Sequence, residues 1–312
     1  GSSNFASSGI VRTVTHDTIY LLAYCPPEYM TRTSEKTVLV TGGTRGLGRC
    51  IVEALSQLQE YVVYLGCRSL SDGESIAATL GSGVVPIQLD VTDDASVVAA
   101  AASISESGTQ LDVLINNAGV LLEREGTDLA TIVEQTLLVN LDGVVTVTEA
   151  FLPLMCDGGH IINISSGAGT RAAGQLCEAT REKLLKAQTA AGLRAAITCI
   201  ADQLSSQKHE PGDTPIYGIS KAGLNYFTQI LARENPRLRV NACSPGFCRT
   251  DIAGPSADYS KREPKEPALG ADVVVKLLTG ALGADTGRFY KECSKPGMPL
   301  DAARSAEEAW VA

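Results

Sequence analysis

Tyr217 and Lys221 stand four residues apart in a segment with helical spacing, which puts a phenol and an ammonium on one face. An ammonium beside a phenol favours the phenolate, lowers a pKa that starts near ~10 and makes the tyrosine a usable acid or base near neutrality. With nine tyrosines in the chain, chance alone supplies about 0.3 such pairs, so the pair in isolation reads equally as a solvated surface contact.

A second chemistry-bearing feature is Thr-Gly-Gly-Thr-Arg-Gly-Leu-Gly at residues 41–48. Gly42, Gly46 and Gly48 have no Cβ, so the backbone there can turn tightly and approach a pyrophosphate at the positive end of a following helix. The spacing Gly-x-x-x-Gly-x-Gly departs from the Gly-x-Gly-x-x-Gly fingerprint of many dehydrogenases, and in a chain with 30 glycines one such run is also an ordinary turn.

The flanking elements decide between these readings. A β-branched run at 37–40 precedes the glycines and a helix-like segment at 49–55 follows them. Apolar runs at 61–65, 84–89, 111–115 and 160–164 then alternate with helix patterns over 71–80, 93–106 and 128–150. Residues 167–214 interrupt the rhythm as an insertion with helical stretches near 175–191 and 193–206. Order resumes with a helix over 216–233, a strand at 238–242, a charged loop at 254–267, a helix over 268–279 and a last strand near 287–291. The expected fold is α/β: a Rossmann-type, doubly wound, seven-stranded parallel sheet with right-handed crossovers and a helical insertion before Tyr217. Residues 36–312 read as a single domain and 1–35 as an N-terminal extension, whose strand-prone stretch 11–24 could add to an edge.

On this frame the polar motifs fall at one edge. Asn116-Asn117-Ala118-Gly119 closes the fourth strand, Asn140 lies inside the long helix, Ser165-Ser166 ends the fifth strand, and Pro245-Gly246 and Thr250 follow the sixth. The carboxyl edge of an open α/β sheet is where ligands bind. Taken together these residues resemble the short-chain dehydrogenase/reductase family, over residues 36 to about 291.

The resemblance implies that Tyr217 donates a proton to a substrate carbonyl and that Ser166, rather than Ser165, holds the carbonyl oxygen. It implies that Lys221 depresses the tyrosine pKa and grips the nicotinamide ribose, while Asn140 supports a water that leads protons to the lysine. The implied cofactor residues are Gly42, Thr44, Arg45, Gly46, Leu47, Gly48, Arg68, Asp90, Val91, Asn117, Ala118, Gly119, Tyr217, Lys221, Pro245, Gly246 and Thr250, with Asp90 meeting the adenine. A lone Asp after a strand is also a common turn or helix cap, a place that Thr92 could take instead. Where enzymes preferring NAD carry an acid at the end of the second strand, this chain has Gly66-Cys67-Arg68, with Arg45 in the glycine turn. Two guanidinium groups can clamp a 2′-phosphate, so NADP(H) is the expected cofactor, two solvated arginines being the plainer reading.

Within the family, the long insertion and the run at 240–254 resemble the carbonyl reductases, whose inserted helices cover the surface other members associate through; a monomer is implied. The expected activity is NADPH-dependent reduction of an aldehyde, ketone or quinone. The alternative is a non-catalytic NADP(H)-binding subunit or sensor of the same fold, against which the retention of Asn140, Ser166, Tyr217 and Lys221 argues.

Composition narrows the remaining classes. A net charge of -9 without a dense basic cluster repels a phosphate backbone, which argues against nucleic acid as a partner. Nine cysteines without a Cys-x-x-Cys pair, and three histidines far apart, give no zinc pattern and suit a reducing compartment. The apolar runs near the N-terminus fall far below the roughly 18 residues of a membrane span, so no membrane partner is expected. The expected location is cytoplasmic, with import through a processed N-terminal segment left open.

Overall fold

The computed structural model describes residues 35–210, 213–253, 263–280 and 285–291. The expectations about residues 1–34 and most of the 254–267 loop lie outside the described residues.

Seven parallel strands form one sheet in the order β3-β2-β1-β4-β5-β6-β7. They are β1 (Lys36–Thr41), β2 (Tyr61–Cys67), β3 (Val84–Gln88), β4 (Leu111–Asn116), β5 (Met155–Ile164), β6 (Arg239–Ser244) and β7 (Phe289–Lys291). The first crossovers run outward from β1 through α1 (Gly46–Ser56) and α2 (Leu70–Leu80), and α3 (Asp94–Glu106) carries the chain back from β3. The chain then returns to the other side of β1 at β4 and continues through α4 (Leu129–Leu137), α5 (Gly143–Phe151), α6 (Gly167–Gln175), α7 (Glu178–Leu185), α8 (Ala190–Ser205), α9 (Pro215–Glu234) and α10 (Pro267–Leu278). The sheet is doubly wound, and its direction reverses between β1 and β4, where a crevice opens at the carboxyl edge.

Alternate strand residues feed two apolar layers because side chains in a strand point to opposite faces. Val38, Val40, Val63, Leu65, Val113, Ile115 and Ile162 pack beneath α1 and α10, while Leu39, Leu114, Ile161 and Val240 pack beneath α3, α5 and α9. With both faces covered, the strands read as continuous apolar runs, as the sequence shows them. The run Leu129–Leu154 contains an 18-residue window of mean hydropathy 1.5 and is long and apolar enough to cross a membrane. Here it is core: Val133, Leu137, Leu141, Val147 and Phe151 are buried.

Three local expectations are corrected. The helix expected over 128–150 is not continuous, because a π-helical turn at Leu138–Asp142 separates α4 from α5. Its extra residue per turn changes which way the side chains face, and buried Asn140 accepts from Val120 N and donates to Val120 O, both at 2.8 Å. The insertion holds three helices, not two, since α6 starts directly after Ser166, whose hydroxyl accepts from Ala168 N at 3.1 Å. Neither Asp90 nor Thr92 caps α3; Asp93 does, accepting from Ala95 N at 3.0 Å.

His160 lies in β5 with its Nε2 at 3.1 Å from Asn241 Nδ2, and burial, with Arg239 adding, pushes its pKa down to about 3. The folded value lies below the unfolded one, so the stabilisation is complete above pH ~6.5 and is lost as pH falls toward the folded value. Urea unfolding from pH 7 to pH 3.5 is expected to show stability falling by several kcal/mol, with a shallower slope in His160→Gln. Parallel slopes in the two proteins would remove this account.

Candidate active site

The cleft begins where β1 ends. Thr41 Oγ1 accepts from the backbone N–H of Asn117 and of Ala118, each at 3.0 Å, and ties the ends of β1 and β4 together. Asn117 Nδ2 returns to Thr41 O at 2.9 Å and Gly42 O at 3.1 Å. Gly42 and Gly46 have φ values of 65° and 53°, a left-handed conformation that costs glycine nothing. At Gly48 a Cβ would stand 2.2 Å from Gly42 O and 2.4 Å from Asn117 Nδ2. The glycines let α1 start against the turn, its first amides facing the cleft with no acidic residue in the first turn.

This cleft encloses about 980 Å³, large enough for a dinucleotide and a small substrate. The seventeen sequence-expected cofactor residues and Ser166 line it; Asn140 lies behind the wall. Arg45 and Arg68 are exposed at its rim. Arg45 lies 3.8 Å from the Asp251 carboxylate, a weak solvent-exposed pair, whereas Arg68 has no ion pair among the described residues. Asp90 Oδ1 is held by Thr92 N at 2.9 Å and Thr92 Oγ1 at 2.7 Å, which fixes the loop after β3.

Helix α9 carries Tyr217 and Lys221 into the cleft. Pro215 at its first position lacks an N–H that would be unpaired in any case, and fifteen of its residues are buried. Ser166 and Tyr217 line the same cleft, the serine hydroxyl acting to lower the Tyr217 pKa, and Lys221 Nζ lies 5.9 Å from the Tyr217 ring centre. Ser165, by contrast, faces away, its hydroxyl donating to Lys221 O at 3.3 Å. Lys221 Nζ donates to Ile164 O at 2.8 Å, and Asn140 Nδ2 donates to Ser220 Oγ at 3.0 Å. Gly119 makes room for both, since a Cβ there would stand 3.3 Å from Asn140 Oδ1 and 3.4 Å from Lys221 Nζ.

The electrostatics reverse one sequence expectation. Lys221 was expected to depress the tyrosine pKa, yet Tyr217 is pushed up to about 12, by burial first, with the Ser166 hydrogen bond opposing and Glu123 adding. Burial lowers Lys221 to about 8, with the neighbouring Cys243 acting against it. Removing both groups from water disfavours the charged form of each. At neutral pH Tyr217 is therefore a phenol and a proton donor. Cys243, buried next to the lysine, is raised to about 12 and stays a thiol.

Sequence reading missed Thr41, Glu123 and Ser220. Glu123 Oε1 accepts from Tyr217 N at 2.6 Å across 94 residues of chain, a pairing with no local spacing to announce it.

The comparisons agree with this geometry. Residues 36–178 match the family model described as short chain dehydrogenase, and 180–272 match one described as Enoyl-(Acyl carrier protein) reductase. The chain belongs to the short-chain dehydrogenase/reductase family, and it is an oxidoreductase of that family. Carbonyl reductase [NADPH] 1 of Pongo abelii is 31% identical over 81% of this chain and 95% of that protein. Salutaridine reductase of Papaver somniferum is 28% identical over 85% of this chain and 96% of that protein. The solved structure of salutaridine reductase from the same plant superposes with a TM-score of 0.66 at 26% identity, over 83% of this chain and all of that one.

Gly48→Ala is expected to destabilise the protein by about 1–3 kcal/mol in urea unfolding, because the methyl must displace backbone. Gly167→Ala, where a Cβ meets nothing within 4 Å, serves as the control and is expected to leave stability nearly unchanged.

Proposed function

We propose that this protein reduces aldehyde, ketone or quinone carbonyls with NADPH, Tyr217 supplying the proton. The observation that carries the reading is the gathering of Ser166, Tyr217 and Lys221 in the cleft that also holds the glycine turn. The similarity to carbonyl reductase [NADPH] 1 and salutaridine reductase supports it.

NADPH held in the cleft supplies a hydride to the carbonyl carbon. The chain's own part begins with the fit: the turn of Gly42, Gly46 and Gly48 would take the pyrophosphate against the start of α1, where side chains are excluded. Asp90 and Val91 would border the adenine, and Arg45 and Arg68 at the rim would take a 2′-phosphate, Arg45 by exchanging Asp251 for it. The hydroxyls of Ser166 and Tyr217 would hold the carbonyl oxygen. As negative charge develops on that oxygen, the proton moves to it from Tyr217 Oη, which burial keeps loaded at neutral pH. Lys221, still largely charged near neutrality, would hold the ribose and face the phenolate left behind, stabilising it. Asn140, locked by Val120 and Ser220, would support the water path that refills the proton.

The inserted α8 supports a monomer. Its Leu193, Ile197, Ile200 and Ala201 are buried, and Gly223 of α9 admits Ile197 so closely that a Cβ there would meet it at 3.1 Å. Cys50, Cys67, Cys177, Cys199 and Cys243 are free thiols, which supports a reducing, cytoplasmic setting.

With NADPH oxidation followed by absorbance over a panel of quinones, aromatic aldehydes and ketones, Tyr217→Phe is expected to lower kcat about 10²–10⁴-fold while leaving NADPH affinity within a few-fold. Full turnover in that variant would refute the assignment, and tight NADPH binding by the parent without turnover on any substrate would favour a non-catalytic binder. Arg68→Asp is expected to raise the KM for NADPH about tenfold or more and to spare NADH. An unchanged NADPH/NADH ratio would mean the 2′-phosphate is held elsewhere.

A further inference from the structure

Helix α9 begins with an unusual deficit. Thr214 at its N-cap makes no side-chain cap bond, and Pro215 has no N–H. Gly218 N is satisfied by Thr214 O at 2.8 Å, leaving the amides of Ile216 and Tyr217 to find partners outside the helix. Tyr217 N finds Glu123 Oε1 at 2.6 Å.

We propose that Glu123 is a positioning residue: its carboxylate anchors the first turn of α9 from the loop after β4 and sets a negative charge beside the Tyr217 phenol. This inference rests on the reductase reading of the same site. Glu123 is only 7% exposed, and among the described residues its Oε2 is buried without a hydrogen-bond partner. Among those residues neither oxygen meets a guanidinium or ammonium, for Arg124 donates instead to the backbone oxygens of Glu123 and Ile252. Its Oε1 sits at the positive end of α9, on one short bond from the Tyr217 amide.

Among the described residues, the phenol shares its cleft with the Ser166 hydroxyl at the end of β5, Lys221 one turn along α9, Arg171 of α6 and Arg124 of the β4 loop, and with the charges of Arg45, Arg68, Asp90, Asp251 and Lys291. Cys243 of β6 reaches only as far as the lysine and is neutral. Among these, Glu123 is the group whose charge raises the Tyr217 pKa, and Ser166 lowers it. A carboxylate that disfavours phenolate lets the tyrosine keep its proton to higher pH, so the alkaline limit of carbonyl reduction moves up with it.

Two variants separate position from charge. Glu123→Gln keeps an acceptor for Tyr217 N and removes the charge; Glu123→Ala removes both. The phenol is titrated by NMR with [13Cζ]tyrosine, the Tyr217 signal being assigned by its loss in Tyr217→Phe, with and without NADP+. In Glu123→Gln the midpoint is expected to fall by about one pH unit or more, and the alkaline limb of kcat for reduction to move down with it. Hydrogen exchange at the Tyr217 amide is expected to stay slow in Glu123→Gln and to quicken at least tenfold in Glu123→Ala, along with a matching drop in kcat. Coincident titration midpoints in parent and Glu123→Gln, or an equally slow Tyr217 amide in Glu123→Ala, would overturn the proposal. A parent without turnover whose Tyr217 midpoint still falls in Glu123→Gln would remove the reductase reading and leave the role of Glu123 standing.

Discussion

The Thr41 hydroxyl at the end of β1 receives two backbone amides from the end of β4, and the dimensions of the cleft follow from that junction. It bridges the point where the sheet reverses direction, the one place where two neighbouring strands send their following loops apart. Each such bond is worth only about 1 kcal/mol net, but an orphaned buried amide costs about 1–3 kcal/mol, so the loops have little freedom to drift. Asn117 closes the same knot from the other side by bonding to Thr41 O and Gly42 O. The close approach of α1 then follows, and a glycine at 48 is its steric consequence, because Asn117 and the Gly42 carbonyl already fill the space a side chain would need.

The second constraint is the burial of α9. A helix buried along most of its length cannot shift to suit a ligand, so Tyr217 and Lys221 are delivered to fixed points, one against Ser166 and the other against the carbonyl of Ile164. Desolvation raises the phenol and lowers the ammonium together, drawing two groups that differ little in solution further into their neutral forms. The result suits a proton donor that must arrive loaded. The π-helical turn around Asn140 belongs to the same arrangement, because it locks Val120 to α9 through Ser220.

Much of this was legible in the chain. Continuous apolar runs at regular intervals specify buried parallel strands, since only a sheet covered on both faces needs every residue apolar, and β1 through β7 appear where those runs lie. Glycines at 42, 46 and 48 and the Tyr217–Lys221 spacing marked the cleft because their meaning is local: backbone freedom in one case, helical geometry in the other. The π turn was hidden, since Leu-Val-Asn-Leu-Asp carries the same helical pattern whether or not one residue bulges. So was the cap of α3, where four acidic or hydroxyl residues compete and only the path of the backbone chooses Asp93.

The sequence by itself determined the fold class, the order of the strands along the chain and which residues could do chemistry, because those depend on side-chain type and spacing. Tertiary structure alone decided their chemical state. The direction of the Tyr217 pKa shift comes from how deeply α9 is buried and from a glutamate 94 residues away, and neither burial depth nor a long-range charge has any signature in local spacing.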